Sequence, residues 1–167
     1  MRIKVDGAQF SFPNDWIAEK YDEWAFYRKQ FQNCAGGNKA VDITAIDQKN
    51  NTLWLIELKD YRSNRRTKSI DIADEVAIKA RDTIAGLFAA ARNASNREKT
   101  FAGKTLGCSK IRVALQLRQP LKNSKLFPRA INPASVKQKL RKIIKPIDAH
   151  PIINDRDTAM SVRWEVI

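Results

Sequence analysis

The stretch Val41-Asp42-Ile43-Thr44-Ala45-Ile46-Asp47-Gln48-Lys49-Asn50-Asn51-Thr52-Leu53-Trp54-Leu55-Ile56-Glu57-Leu58-Lys59 decides how the chain is read. Two apolar runs flank a polar turn, Gln48 to Asn51, which is the pattern of a β-hairpin. Three charges interrupt those runs: Asp42, Glu57 and Lys59. A charge in a core-like strand is costly unless it is paired or metal-bound. Folding about Lys49-Asn50 pairs 46 with 53, 44 with 55 and 42 with 57. Asp42 then faces Glu57, with Cβ atoms about 5 Å apart. Side chains alternate along a strand, so Glu57 and Lys59 share a face. Two carboxylates and an ammonium converge there. Like charges directly opposite are destabilising, and a divalent cation would reverse that.

Working outward, Arg2 to Phe12 reads as a short hairpin turning at Asp6-Gly7. Pro13-Asn14-Asp15 reads as a helix start, and the helix is expected to run to about Asn33 with Trp16, Ile17, Trp24, Tyr27 and Phe31 on its apolar stripe. A second helix is expected from Ile70 to Arg92, alanine-rich on its inner face, which suits close packing on a sheet. Asn93 to Lys110 is polar, basic and glycine-containing, and is expected to be a loop. Ile111 to Arg118 alternates as a strand. Asn132-Pro133 opens a third helix that ends before Pro146, with Val136, Leu140, Ile143 and Ile144 inward. Ser161 to Ile167 is expected to be a final strand. The order of elements predicts an α/β fold, a central mixed β-sheet flanked by helices, in one domain over 1–167.

Composition narrows the function classes. Thirty-one basic against 18 acidic side chains give a net charge of +13, which favours a polyanionic partner, nucleic acid above all. No long uncharged apolar run suits a membrane span, and the N-terminus lacks the apolar core of a signal peptide. Two cysteines and one histidine provide neither a disulfide framework nor a structural zinc site, so a cytoplasmic protein without membrane contact is expected. Asp47-Gln48-Lys49 repeats the acidic-x-Lys pattern but falls in the turn, where charges are ordinary. Gly103-Lys104-Thr105 has the ending of a P-loop, but Glu98 stands where that motif needs glycine. His150 has no Ser or Cys partner pattern and reads as a surface residue.

Asp42, fourteen intervening residues and then Glu57-Leu58-Lys59, on a hairpin between helices, resembles the PD-(D/E)xK nuclease superfamily. The resemblance spans roughly 15–113 and implies a restriction-endonuclease-like core. It also implies Asp42 and Glu57 as ligands of magnesium (or manganese) and Lys59 as the group that orients or activates water. Glu19, with Glu23 as its alternative, would join from the preceding helix, and Lys79 from the following one. Val41 stands at the "P" position, and the family's first core strand has little room before Asp42. The activity implied is metal-dependent hydrolysis of DNA phosphodiester bonds, by an enzyme that dimerises if it cuts both strands. Such chemistry needs a metal to neutralise phosphate and lower the pKa of water, and hard carboxylate oxygens suit magnesium or manganese. Tyr61, Arg62, Arg65 and Arg66 leave the strand beside Lys59 and are expected to grip flanking phosphates. Two other readings stay open: a non-catalytic nucleic-acid-binding protein that kept the fold, and an accessory subunit.

Overall fold

The structure is a computed structural model that describes residues 1–63, 66–120, 131–155 and 162–167. In chain order the first strands are β1 (Arg2–Val5), β2 (Ala8–Ser11), β3 (Trp16–Lys20), β4 (Ile43–Asp47) and β5 (Thr52–Asp60). Then come α1 (Ile72–Asn93), α2 (Asn96–Leu106), β6 (Lys110–Arg118), α3 (Pro133–Ile143), β7 (Ile152–Asn154) and β8 (Glu165–Val166). One sheet has the order β1-β2-β8, the other β3-β4-β5-β6-β7. In the larger sheet β3, β4 and β5 form an antiparallel meander, and β6 and β7 run parallel to β5. This is the mixed sheet with flanking helices expected from the order of elements.

The organising hairpin folds in the register read from the sequence. Ile46 pairs with Leu53, Thr44 with Leu55 and Ile43 with Ile56, which sets Asp42 across from Glu57 just before β4 begins. Asp47 closes the turn by accepting hydrogen bonds from the Asn50 backbone N–H and side-chain amide. It is buried and also meets Arg163, so this turn charge is a structural anchor rather than a solvated one.

Two expectations fail. The helix expected from Pro13 to Asn33 is instead strand β3 followed by a 3-10 turn (Tyr21–Glu23), a π-helical turn (Tyr27–Phe31) and a second 3-10 turn (Cys34–Gly36). Trp16 and Ala18 bury themselves in one core while Ile17 packs on the other, a period of two that the scattered aromatics further along obscured. That strand fills the place for which the sequence left little room. The loop expected from Asn93 to Lys110 holds helix α2. Its Phe101, Ala102 and Thr105 are buried at helical spacing, and Phe101 meets Trp24 edge to face at 5.6 Å. The Glu98 carboxylate accepts from the backbone N–H groups of Ala25 and Phe26 at 2.7 and 3.0 Å, tying α2 to the segment before the π-helical turn.

Smaller departures follow from packing. α1 is capped by Asp71, whose carboxylate accepts from Ala73 N–H. Phe88, on α1's apolar period, is nonetheless exposed, under the Arg92 guanidinium at 3.6 Å. Ile143 faces outward while Val136, Leu140 and Ile144 are buried. The strand expected from Ser161 is reduced to β8. Ser161 lies outside the described residues, and the short strand β7 was not foreseen.

Three layers result. Helices α1 and α3 cover one face of the large sheet, and the small sheet covers the other, where Phe10, Phe12, Trp16, Ile43, Ile56 and Trp164 form a second core. β5 lies between the two cores, so both its faces are apolar except where function intrudes. Among the described residues no helix is long and apolar enough to cross a membrane.

Candidate functional site

Glu57 is the anomaly of β5. It is 1 % exposed, on a strand whose neighbours Leu55 and Ile56 are fully buried. The hairpin register brings Asp42 to it, and α1 lays Lys79 on the same face. The Lys79 Nζ stands 2.5 Å from Glu57 Oε1 and 3.9 Å from Asp42 Oδ1, bridging the two carboxylates. Lys59 Nζ approaches the same Glu57 oxygen at 2.7 Å. Asp42 Oδ2 accepts from the Leu58 N–H at 2.7 Å, which fixes the carboxylate against the strand. So the structure brings Asp42, Glu57, Lys59 and Lys79 together.

Behind this group stands Glu75 of α1, which the sequence reading missed. It receives Lys59 at 3.0 Å, Lys68 at 2.6 Å and Arg66 at 2.9 Å. Arg66 also donates to the Tyr61 hydroxyl and to the Ile70 carbonyl oxygen. Arg62 folds back on Asp60 at 2.6 Å. The loop expected to grip phosphates therefore spends much of its charge on its own carboxylates. Tyr61, Arg62 and Arg66, with Lys59 and Lys68, line a cavity of about 510 Å³. Arg65 lies outside the described residues.

Glu19 does not join the carboxylates. It sits on β3 opposite Thr44, and its Oε1 is taken by Arg97 of α2 at 2.7 Å. Glu23 is exposed and paired with Lys20. The residue that does enter is Asp22, between them. It lines a second cavity of about 570 Å³ with Asp42, Lys79, Lys39, Arg28 and Tyr27. The signal for it was present, an acidic run before the hairpin, but reading that run as a helix pointed the wrong side chains inward.

Electrostatics follow from burial. Burial pushes the Glu57 carboxyl up to about 6, and the Asp42 carboxylate adds to it against Lys79 and Lys59. Burial likewise raises Asp42 and Asp22. For Lys59 burial works against the charge, but Glu57 and Glu75 outweigh it and hold the ammonium above its ordinary value. Glu75 resists burial through Lys68, Lys59 and Arg66, and falls to about 2. Two carboxylate oxygens, Glu57 Oε2 and Asp22 Oδ1, are buried with no hydrogen-bond partner. Buried oxygens without partners are uncommon and invite a ligand.

By donor type, Asp42 and Glu57 are the hard oxygen ligands a divalent cation takes, but Lys79 stands between them in this structure. They offer carboxylate oxygens only, one of them unsatisfied. Among the described residues no group of three or more His, Cys, Asp or Glu is disposed to hold a metal, so water or a ligand would complete the shell.

No protein-family model matches the chain, and no solved structure matches it. The chain is 34 % identical over 151 residues to a cysteine–tRNA ligase of Neisseria meningitidis serogroup A / serotype 4A (strain DSM 15465 / Z2491). That alignment takes in 71 % of this chain and 21 % of the ligase, so the chain spans about a fifth of that relative's length. This finding overturns the expectation of a magnesium-dependent DNA nuclease, and the description of the chain as a hydrolase with it. Lys59, expected to orient water, pairs with Glu57 and Glu75 in this structure. What the comparisons leave is a chain similar to part of a ligase that joins cysteine to tRNA.

Proposed function

We propose that this chain is an RNA-binding domain that serves an enzyme acting on tRNA, gripping the RNA rather than cutting it. The observation that carries this reading is the 34 % identity to a cysteine–tRNA ligase across 71 % of the chain. The net charge of +13 supports it, since a polyanion is the natural partner of such a surface. Covering a fifth of that relative suits a domain that positions substrate better than one that carries the whole reaction. The fold in this reading keeps a restriction-endonuclease-like core, supported by the β3-β4-β5 meander, the α1 crossover and parallel β6. Free thiols at Cys34 and Cys108 suit a cytoplasmic setting.

In the same reading Asp42 and Glu57 hold magnesium or manganese when RNA is bound. The ion would neutralise a phosphate oxygen beside Lys59 and Lys79; the unsatisfied Glu57 Oε2 supports this.

The test is binding of a tRNA transcript and of a DNA duplex of matched length, by fluorescence anisotropy at several salt concentrations. Tighter binding of tRNA, with no cleavage of either, is the expected result; preference for the duplex would sink the reading. Calorimetry with manganese checks the cation: binding by wild type that is lost in Asp42→Ala and Glu57→Ala is expected.

A further inference from the structure

At the β6–β7 edge of the sheet lies a second basic feature, apart from the carboxylates. A cleft of about 350 Å³ opens between α3 and the start of β6 and β7, lined by Trp54, Arg112, Lys137, Arg141 and His150. Trp54 precedes Glu57 by three positions on β5, so the two side chains point to opposite faces. The cleft and the carboxylate cluster are therefore separate places. Among the described residues no carboxylate lines the cleft.

Its cations divide into one that is fixed and two that are free. Arg112 Nη2 donates to the His150 carbonyl oxygen at 2.6 Å, and its Nε lies 3.3 Å from the carboxylate of Asp148. Asp148 is itself buried and anchored by the backbone N–H groups of Val113 and His150, both at 2.8 Å. The Arg112 guanidinium also stands 5.2 Å from the Trp54 ring centroid. It is thus locked in place before any ligand arrives, and a preorganised guanidinium loses little entropy on binding. Lys137 and Arg141 are exposed, one turn apart on α3, and meet no carboxylate among the described residues. Their neighbour Lys139 is turned the other way, onto Asp71 and Asp74 at 3.3 and 2.6 Å. Of the four cations on α3, Lys139 staples the helix to α1, and Lys137 and Arg141 line the cleft.

We propose that this cleft binds backbone phosphate of RNA, with Arg112 as the fixed donor and Lys137 and Arg141 as the counter-charges. The ligand class follows from the lining: three cations, of which Arg112 is paired with Asp148 behind it, and no carboxylate among the described residues that line the cleft. A guanidinium fork matches phosphate oxygens in pairs, and unpaired surface lysines release counterions on meeting a polyanion. The proposal rests on the RNA-binding reading above and gives that surface a second point of grip.

The experiment measures binding of a tRNA transcript by anisotropy across 50–300 mM salt, about the range where phosphate contacts are resolved. It compares wild type, the double variant Lys137→Gln/Arg141→Gln, and the control Lys29→Gln/Lys99→Gln. The control removes the same charge from exposed positions elsewhere. The cleft variant is expected to bind about tenfold more weakly than wild type near physiological salt. Its slope of log affinity on log salt is expected to be shallower by about 1.5, as for two lost phosphate contacts. The control is expected to lose at most about a third of that slope change. Equal affinity and slope in wild type and cleft variant would overturn the cleft while leaving RNA binding intact. Equal losses in cleft variant and control would overturn it too, since net charge alone would then account for both. Failure of wild type to bind tRNA would overturn the RNA-binding reading and the cleft with it.

Discussion

Lys79 Nζ sits 2.5 Å from Glu57 Oε1, and this ammonium stands where a bridging cation between Glu57 and Asp42 would stand. The helix supplies from α1 the positive charge that the facing carboxylates of the hairpin demand. Removing one member of a buried pair costs about 3–5 kcal/mol. Lys59 remains on the same oxygen at 2.7 Å, so Lys79→Met is expected to cost nearer about 2 kcal/mol in urea unfolding at neutral pH. Without the competing ammonium, manganese is expected to bind more tightly by calorimetry. Unchanged or weaker affinity would show that Lys79 does not hold the cation's place.

Glu57 should betray its surroundings when titrated. Burial raises its carboxyl from 4.5 to about 6. A carboxyl whose folded pKa is raised stabilises the fold when protonated. Its contribution is present below about 4.5 and lost as pH rises through about 6, and is worth roughly 2 kcal/mol. Carbon-detected NMR is expected to give a midpoint near 6 for this group. In Glu57→Gln the change in stability across that window should shrink; a midpoint at or below 4.5 in wild type would refute the assignment.

Glu75 acts in the opposite sense. Lys68, Lys59 and Arg66 outweigh its burial and bring its carboxyl from 4.5 down to about 2. A depressed carboxyl stabilises the fold above its unfolded pKa, and that contribution is lost as pH falls from about 4.5 towards about 2. The loss is expected to be about 3 kcal/mol, since the shift spans more than two pH units. Glu75→Gln should lower stability at pH 7 by a comparable amount and flatten the acid limb. An acid limb as steep in the variant as in wild type would count against the cluster.

Gly86 predicts a packing effect unrelated to charge. A Cβ built on it would collide with the Tyr21 hydroxyl and lie 3.1 Å from Phe31 ring carbons. Gly86→Ala is therefore expected to destabilise by about 1–3 kcal/mol despite its better helix propensity. The Tyr21 hydroxyl is buried without a partner, so Tyr21→Phe alone should cost little. Adding Tyr21→Phe to Gly86→Ala should recover part of the loss in thermal unfolding, and no recovery would place the clash elsewhere.

The hairpin was legible because its information is local. A period of two, a polar turn and a fixed register are properties of nineteen consecutive residues, and they placed Asp42 across from Glu57. The α1 and α3 helices were legible for the same reason: α1 shows a long apolar period, and Asn132-Pro133 opens α3. The short elements β3 and α2 were not. β3 has only five residues in which to show alternation, and α2 is polar apart from Phe101 and Ala102, which find their partners in Trp24 and the core.

Sequence by itself thus determined the charge, the register of the hairpin and the meeting of Asp42, Glu57 and Lys59 on one strand pair, because strand geometry propagates pairing from a turn. Only the tertiary structure decided which other side chains complete that group. Glu19 and Asp22 are three residues apart, and the path of the chain after β3 gave one to Arg97 and the other to the cavity beside Asp42. Glu75 and Lys79 reach the site from a helix that crosses over the sheet; the family resemblance pointed to Lys79, but nothing in the sequence pointed to Glu75. The physical reason is range: hydrogen-bonded registers are set by neighbours along the chain, whereas burial and charge pairing depend on whichever element arrives across the core.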